Sequence, residues 1–160
     1  SSVAFFLLGY YLIGPLVHEA FHVFAVRLLG CFHEVSFGFN ALTGFRGSVQ
    51  PFCYMDSLSL AFFYGGGYLS TLLVGIGVHI YSFYRETVSS NALSLGTGIL
   101  VSVLATATLS GDLIAFSETA GVREVVGTVT VFVVLTVLLV TLSGWEMHHQ
   151  KGRNGAETRA

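Results

Sequence analysis

Residues 57–84 read SLSLAFFYGGGYLSTLLVGIGVHIYSFY, a run that contains no Asp, Glu, Lys or Arg. An α-helix needs about 20 apolar residues to cross roughly 30 Å of bilayer hydrocarbon, so this run is long enough to span a membrane. Two further charge-free runs of sufficient length follow it, over residues 87–111 and 125–145. This repeated pattern predicts an integral membrane protein.

The composition of the whole chain supports the same class. Of its 160 residues, 53% are hydrophobic and only 10% are charged, whereas soluble domains carry about 25% charged residues. So few charges cannot cover a surface that faces water, and the high hydrophobicity also excludes a disordered chain. The formal net charge of −2 provides no basic field, so we expect no nucleic-acid partner.

The apolar runs, together with an N-terminal apolar segment, predict an all-α integral membrane protein with four transmembrane helices. These helices are predicted over about residues 3–29, 57–84, 92–116 and 124–145. The connections between the last three are short, which favours one domain over residues 1–147. Residues 148–160 are polar and are predicted to form a C-terminal tail.

The only long connection follows the first helix and is predicted to form a small β-hairpin beside the membrane. Residues 35–40 alternate apolar with small or polar side chains, the period of two that is typical of a strand. A second extended stretch follows, so the hairpin region is predicted over 33–52. Cys31 and Cys53 flank it and would pair in an oxidising compartment, although two cysteines alone do not establish a disulfide.

Ionisable residues interrupt the predicted helices at two places. His18-Glu19-Ala20-Phe21-His22 lies in the first helix, and Asp112 lies near the end of the third. Each such group costs at least about 2.5–3.5 kcal/mol to insert into a membrane, so it is a candidate for function.

The first interruption fits the pattern HExxH. Residues four apart lie on one face of a helix, so His18 and His22 can present two imidazoles to one metal ion. Glu19 is offset from them and can reach a water molecule at the site, which is the usual arrangement for zinc with a glutamate as general base. Chance gives about 0.01 matches to this pattern in a chain of this composition. The competing interpretation is that these side chains only hydrogen-bond neighbouring helices.

Catalytic zinc commonly has three protein ligands, so one is missing from this motif. Asp112 is predicted to lie on the same side of the membrane as His22 and at a comparable depth, roughly 6 to 10 Å from the helix ends. Glu118 is the rival acidic residue on that side, but it falls in a short loop where solvation alone explains it. We therefore expect Asp112 to be the third ligand.

These features together resemble the site-2-protease-like intramembrane zinc metalloproteases. The shared features are HExxH in a membrane helix, a hairpin directly after that helix, and a later helix with an aspartate ligand. The resemblance covers roughly residues 3–116 and implies that His18, His22 and Asp112 bind Zn²⁺ while Glu19 is catalytic.

The family also has a small-residue stretch of the form Ala-Gly-Pro-x-x-Asn, and residues 66–71 (Gly-Gly-Tyr-Leu-Ser-Thr) occupy its place here. The resemblance implies substrate-binding roles for Gly67 and Thr71. Tyr68 stands where the family has proline, and Thr71 stands where its asparagine would help to hold the substrate. Asp112 follows glycine and precedes leucine, whereas the family more often has Leu-Asp-Gly.

The sequence therefore predicts a zinc endopeptidase that cleaves a peptide bond in or near a transmembrane segment of another membrane protein. The alternative is a catalytically inactive membrane metal-binding protein, either a pseudoprotease or a metal carrier. Lys and Arg counts weakly favour a cytoplasmic location for the face opposite the site. The resemblance implies the reverse, with the active site nearer the cytoplasmic face, and that is the orientation we expect. The oligomeric state is left open.

Overall fold

The computed structural model describes residues 2–42, 44–84, 90–109 and 111–121, and the single positions 134, 138 and 141. Its helices are α1 (Ser2–Leu8), a π-helical turn (Gly9–Ile13), α2 (Gly14–Leu28), α3 (Ser57–Tyr84), α4 (Ser90–Leu109) and α5 (Gly111–Ala120). Strands β1 (His33–Asn40) and β2 (Gly44–Pro51) form one antiparallel hairpin. The described chain is therefore mostly helical, as predicted.

The first predicted helix forms as one unbroken helical segment, with a wider turn near its middle. α1, the π-helical turn and α2 follow one another from Ser2 to Leu28, and the Gly14 N–H donates to the Gly9 carbonyl five residues back. Pro15 lies just beyond and has no N–H to donate to the preceding turn, which disfavours a regular α-helix there. The π-turn is the local rearrangement that keeps the segment helical.

Among the described residues, two helical segments are long and apolar enough to cross a membrane, Ser2–Leu28 and Ser57–Ser82. Asn91–Thr106 is apolar but shorter. The helix predicted over 92–116 falls on α4 and α5, which together extend to Ala120 and flank the undescribed residue 110. The helix predicted over 124–145 lies outside the described residues except for three helical positions, and the tail 148–160 lies wholly outside them.

The hairpin lies alongside the first helix instead of beyond its end. The Tyr10 hydroxyl donates to the Leu42 carbonyl at 2.7 Å, and a Cβ at Gly44 (φ 79°) would overlap the backbone of Tyr11. Tyr10 lies 18 residues before Leu28, a rise of roughly 27 Å, which matches the length of an eight-residue strand, about 26 Å. The predicted hairpin is confirmed, and its turn reaches the depth of the middle of the helix.

A disulfide and an apolar cluster fix the base of the hairpin. Cys31 and Cys53 are bonded, with their Cα atoms 5.5 Å apart. Around Cys31, a buried cluster joins α2, β2 and the start of α3; its members are Ala25, Val26, Cys31, Val49, Met55 and Phe63. The base of the hairpin is thereby attached to α2, the helix that carries His18 and His22, and to the start of α3.

α3 starts at a capped N-terminus close to the hairpin base. The Asp56 carboxylate accepts a hydrogen bond from the Ser59 N–H at 2.8 Å, as at many helix N-caps. Hydrogen bonds from the side chain and backbone of Ser59 hold the pKa of Asp56 below its usual value. α3 then packs against α2, α4 and α5, which brings every ligand-bearing helix into contact with it.

Candidate metal centre

Three ligand atoms converge between α2 and α5. His18 Nε2 lies 3.1 Å from His22 Nε2 and 3.1 Å from Asp112 Oδ2, and His22 Nε2 lies 3.3 Å from the same Oδ2. His18 and His22 are buried, with exposed fractions of 2% and 3%, while Asp112 is partly buried. These three residues form a group that could hold a metal ion.

The dimensions of this triangle fit a tetrahedral metal site. Ligands about 2.0–2.1 Å from a tetrahedral zinc ion are separated from one another by about 3.3–3.4 Å. The three separations of 3.1, 3.1 and 3.3 Å are close to that edge length. The arrangement has the size of one face of a zinc tetrahedron, with the remaining vertex free for another ligand.

A purely hydrogen-bonded triad accounts for the same contacts less well. Both Nε2 atoms would need a proton to donate to Asp112, and the two N–H groups would then point toward each other. With both protons on Nδ1, all three facing atoms carry lone pairs and repel one another. With one ring protonated on Nε2 and the other on Nδ1, the second Nε2 lone pair still faces the ionised Asp112 carboxylate. A cation among them relieves this repulsion, so the donor set favours a metal over hydrogen bonds alone.

Packing holds both imidazoles in place. The ring of Tyr68 meets His18 edge-on at a centroid distance of 4.8 Å, and Phe63 lies 4.5 Å from His22. Gly67 approaches His18 so closely that a Cβ on it would lie 2.7 Å from His18 Cε1. The Nδ1 atoms of both histidines are buried and have no hydrogen-bond partner among the described residues. Ring contacts therefore orient these side chains.

Glu19 lies beside the triangle, where the hairpin crosses α2. A Cβ at Gly47 of β2 would lie 2.6 Å from Glu19 Cγ and 2.8 Å from its Cδ. Only glycine leaves room for the carboxylate at this crossing. Glu19 is not part of the three-residue ligand group, but it lines the same cavity as that group. This is the position expected for a general base.

The site opens into a cavity of about 580 Å³ between the hairpin and the helices. This size lies within the ordinary range of ligand-binding pockets, about 300–1,000 Å³. Its wall includes the ligand set, Glu19 and several polar side chains; the latter are Ser36, Arg46, Ser48, Gln50, Tyr64 and Thr106. A polar substrate backbone and water can therefore be accommodated inside an otherwise apolar protein.

Asp112 joins the two histidines, and Glu118 does not. Asp112 lies eight residues before the end of α5, roughly 12 Å, because that helix continues to Ala120. This depth lies between those of His22 and His18, roughly 9 and 15 Å before the end of α2. Glu118 is exposed near the end of α5 and does not line the cavity.

The two predicted substrate-binding residues lie elsewhere. Thr71 is only 1% exposed, and its hydroxyl donates to the Gly67 carbonyl at 2.9 Å within the same helix. Neither Thr71 nor Gly67 is among the cavity-lining residues in the described part of the chain. Gly67 contacts a metal-ligand candidate instead, and the substrate-binding role of both residues stays a prediction.

Sequence reasoning missed Tyr64, Arg46 and Gly47 as residues of the site. Arg46 and Gly47 reach it only because the hairpin folds back along α2, and no local pattern indicated that direction. Tyr64 lies seven residues before Thr71, on the same face of α3. That spacing was a usable signal, because a residue two turns from a suspected site residue shares its face.

No family model, no curated protein and no solved structure matches this chain. The resemblance to the site-2-protease-like enzymes therefore rests on the HExxH pattern, the hairpin and the aspartate alone.

Proposed function

We propose that the protein is an intramembrane zinc endopeptidase. The observation that carries this proposal is the triangle formed by His18, His22 and Asp112, with Glu19 beside it in the same cavity. A structural triad would not need a fourth ionisable side chain next to it or an open cavity in front of it. A hydrolytic zinc site needs both.

The proposed membrane location is supported by the surface of the two long helices. Only 22% of the best apolar window in Ser2–Leu28 is buried, and 33% of that in Ser57–Ser82. Core helices of soluble proteins bury most of such a window. Large apolar side chains such as Leu28, Leu58 and Leu73 are instead more than half exposed, which is the surface expected of helices that contact lipid.

In the proposed mechanism, His18, His22 and Asp112 would hold the ion. Zinc, when bound, polarises a scissile carbonyl and lowers the pKa of water toward neutrality. Glu19 takes the proton from the attacking water and later delivers it to the leaving amine. Gly47 keeps the carboxylate at the wall of the cavity, and the packed rings of Tyr68 and Phe63 keep the imidazoles in position.

The proposed substrate is a segment of another membrane protein, extended at the scissile bond. A helical segment hides its carbonyls in internal hydrogen bonds, so it must unwind before hydrolysis. A two-stranded sheet has unpaired backbone groups along each outer edge, and an extended segment can add there as a further strand. Both strands of the hairpin contribute to the cavity wall, from Ser36 to Gly38 and from Phe45 to Pro51, which supports this mode of binding.

The central test uses the wild type and Glu19→Gln on a panel of single-span membrane proteins. We expect both to bind zinc and only the wild type to cleave, because glutamine cannot accept the proton. Equal cleavage by the two proteins would disprove the role of Glu19. Stoichiometric zinc without any cleavage by the wild type would favour the alternative, a pseudoprotease or metal carrier.

The third ligand is tested with Asp112→Ala and a matched control, Glu118→Ala. We expect the first variant to lose zinc affinity and the second to keep it, because Glu118 lies outside the ligand group. If Asp112→Ala keeps its zinc affinity and Glu118→Ala loses it, Glu118 would be the third ligand. Loss in neither variant would point to a ligand outside the described residues.

The orientation in the membrane also remains a proposal. The resemblance implies that the site lies nearer the cytoplasm, but the Cys31–Cys53 bond lies at the same end of the molecule as the metal centre, and disulfides persist in oxidising compartments. The disulfide bond and the Lys and Arg count both favour the opposite orientation, in which the site lies away from the cytoplasm. Labelling of single cysteines introduced in the 52–56 segment, in a Cys31→Ser/Cys53→Ser background, distinguishes the two orientations in intact cells.

A further inference from the structure

Tyr64 is the aromatic hydroxyl closest in depth to the candidate metal centre. Counted from the start of α3 at Ser57, Tyr64 lies roughly 10 Å along the helix axis and Thr71 roughly 21 Å. Asp112 lies roughly 12 Å from the corresponding end of α5. Tyr64 is therefore level with the metal centre, while Thr71 lies nearly two helical turns deeper.

The surroundings of Tyr64 leave its hydroxyl available. Its side chain lines the cavity together with Glu19, His18, His22 and Asp112. The ring is held edge-on against Phe63 at a centroid distance of 5.0 Å. Among the described residues, its hydroxyl makes no hydrogen bond, whereas the hydroxyl of Thr71 is engaged within its own helix.

Peptide hydrolysis places negative charge on the carbonyl oxygen in the transition state. Proteins stabilise that oxygen with fixed hydrogen-bond donors, and tyrosine is one of the side chains that serve. The ligand set offers no such donor, because imidazoles that bind a metal through Nε2 direct their N–H groups away from it. Glu19 is an acceptor when it acts as a base. A hydrogen-bond donor in the cavity wall would therefore add to the stabilisation that a bound metal supplies.

We propose that Tyr64 is a catalytic residue that donates a hydrogen bond from its hydroxyl to the developing oxyanion of the substrate. The proposal rests on the proposed function and adds to it the group that recognises the transition state.

The test compares Tyr64→Phe with Tyr54→Phe, both measured on a cleaved substrate. Tyr54 is 95% exposed in the loop before α3, so its variant controls for loss of a phenol elsewhere. Tyr64→Phe removes one oxygen and keeps the ring contact with Phe63. We expect kcat to fall by about 10²–10³-fold, as for other lost oxyanion donors, with KM within about twofold and zinc content unchanged. The Tyr54→Phe variant should stay within about threefold of wild type.

A second readout separates a catalytic role from a structural one. A phosphonamidate peptide mimics the charged tetrahedral transition state, so Tyr64→Phe should weaken its binding by the same factor by which kcat/KM falls. A reduced kcat without this parallel loss would overturn the proposal, as would unchanged kinetics. Arg46 is a hydrogen-bond donor on the hairpin side of the cavity wall. If Arg46→Gln lowers kcat and Tyr64→Phe does not, the proposal is also overturned.

The outcomes distinguish this proposal from the proposed function itself. If the wild type binds zinc but cleaves nothing, both the proposed function and the role of Tyr64 are contradicted. If the wild type cleaves and Tyr64→Phe is equally active, only the role of Tyr64 is contradicted. If the phenylalanine variant does not fold, Tyr64→His and Tyr64→Leu replace it. The histidine keeps a ring and an N–H donor and should be at least about tenfold more active than the leucine; equal activity contradicts the proposal.

Discussion

Replacing Gly67 with alanine should weaken metal binding, because the added Cβ would displace the imidazole of His18. The new Cβ would lie 2.7 Å from His18 Cε1, 2.9 Å from Nδ1 and 3.0 Å from Nε2. Carbon atoms in favourable contact are about 3.5–4.0 Å apart, so the ring must withdraw by about 0.8 Å. Ligand distances in metal sites are held to within about 0.2 Å, and the shift is several times larger than this tolerance.

We expect Gly67→Ala to lose about 10–100-fold in zinc affinity, the range found when the support of a ligand is removed. This corresponds to about 1.4–2.7 kcal/mol. Helix propensity acts in the other direction, because alanine stabilises a helix interior by about 1 kcal/mol relative to glycine. A Gly67→Ala variant that is at least as stable as the wild type but binds zinc more weakly would therefore be specific to this steric effect.

The assay is competition for zinc between the purified protein in detergent and a chromophoric chelator of known affinity. Gly77→Ala is the matched control, since it lies in the same helix and a Cβ there meets nothing within 4 Å. It should bind zinc as the wild type does. Equal zinc affinity in Gly67→Ala and Gly77→Ala would refute the claim that Gly67 positions His18 for metal binding.

Two further predictions concern the hairpin. Gly47→Ala should keep zinc but lower the cleavage rate by at least about tenfold, because its Cβ would displace Glu19 and general bases contribute about 10²–10⁴-fold. Gly77→Ala, where a Cβ meets nothing within 4 Å and which does not line the cavity, is the control. Equal rates in the two variants would contradict the reasoning. Cys31→Ser/Cys53→Ser should destabilise the protein by about 3 kcal/mol from the entropy of the 22-residue loop; denaturant unfolding of both proteins measures it, and identical midpoints would count against a stabilising bond.

The helical elements were predictable because charge-free length is a simple criterion. A backbone in lipid must satisfy its hydrogen bonds internally, so long apolar runs become helices, and α3 has the predicted bounds. The spacing of His18 and His22 depends only on helix periodicity, and it brought their Nε2 atoms together. Asp112 required one further step, the alternation of helix direction.

The remaining features depend on contacts between distant parts of the chain. The direction of the hairpin is set by the hydrogen bond from Tyr10 and by the contact of Gly44 with Tyr11, neither of which has a local signature. Phe62, Phe63 and Tyr64 follow one another near the start of α3, so only the seven-residue spacing from Thr71 distinguished Tyr64 in the sequence. The approach of Gly47 to Glu19 likewise appears only once the hairpin is folded back.

A β-hairpin alongside a membrane helix has a consequence for the lipid itself. If Ser2–Leu28 spans the bilayer, the outer edge of β1, which has no further strand beside it among the described residues and is mostly exposed, places backbone N–H and C=O groups at the depth of the acyl chains. Each such group costs several kcal/mol in hydrocarbon. The bilayer next to the hairpin must therefore thin or admit water, and lipids with short or unsaturated chains should gather there. The composition of the surrounding membrane would then govern how easily a substrate reaches the cavity.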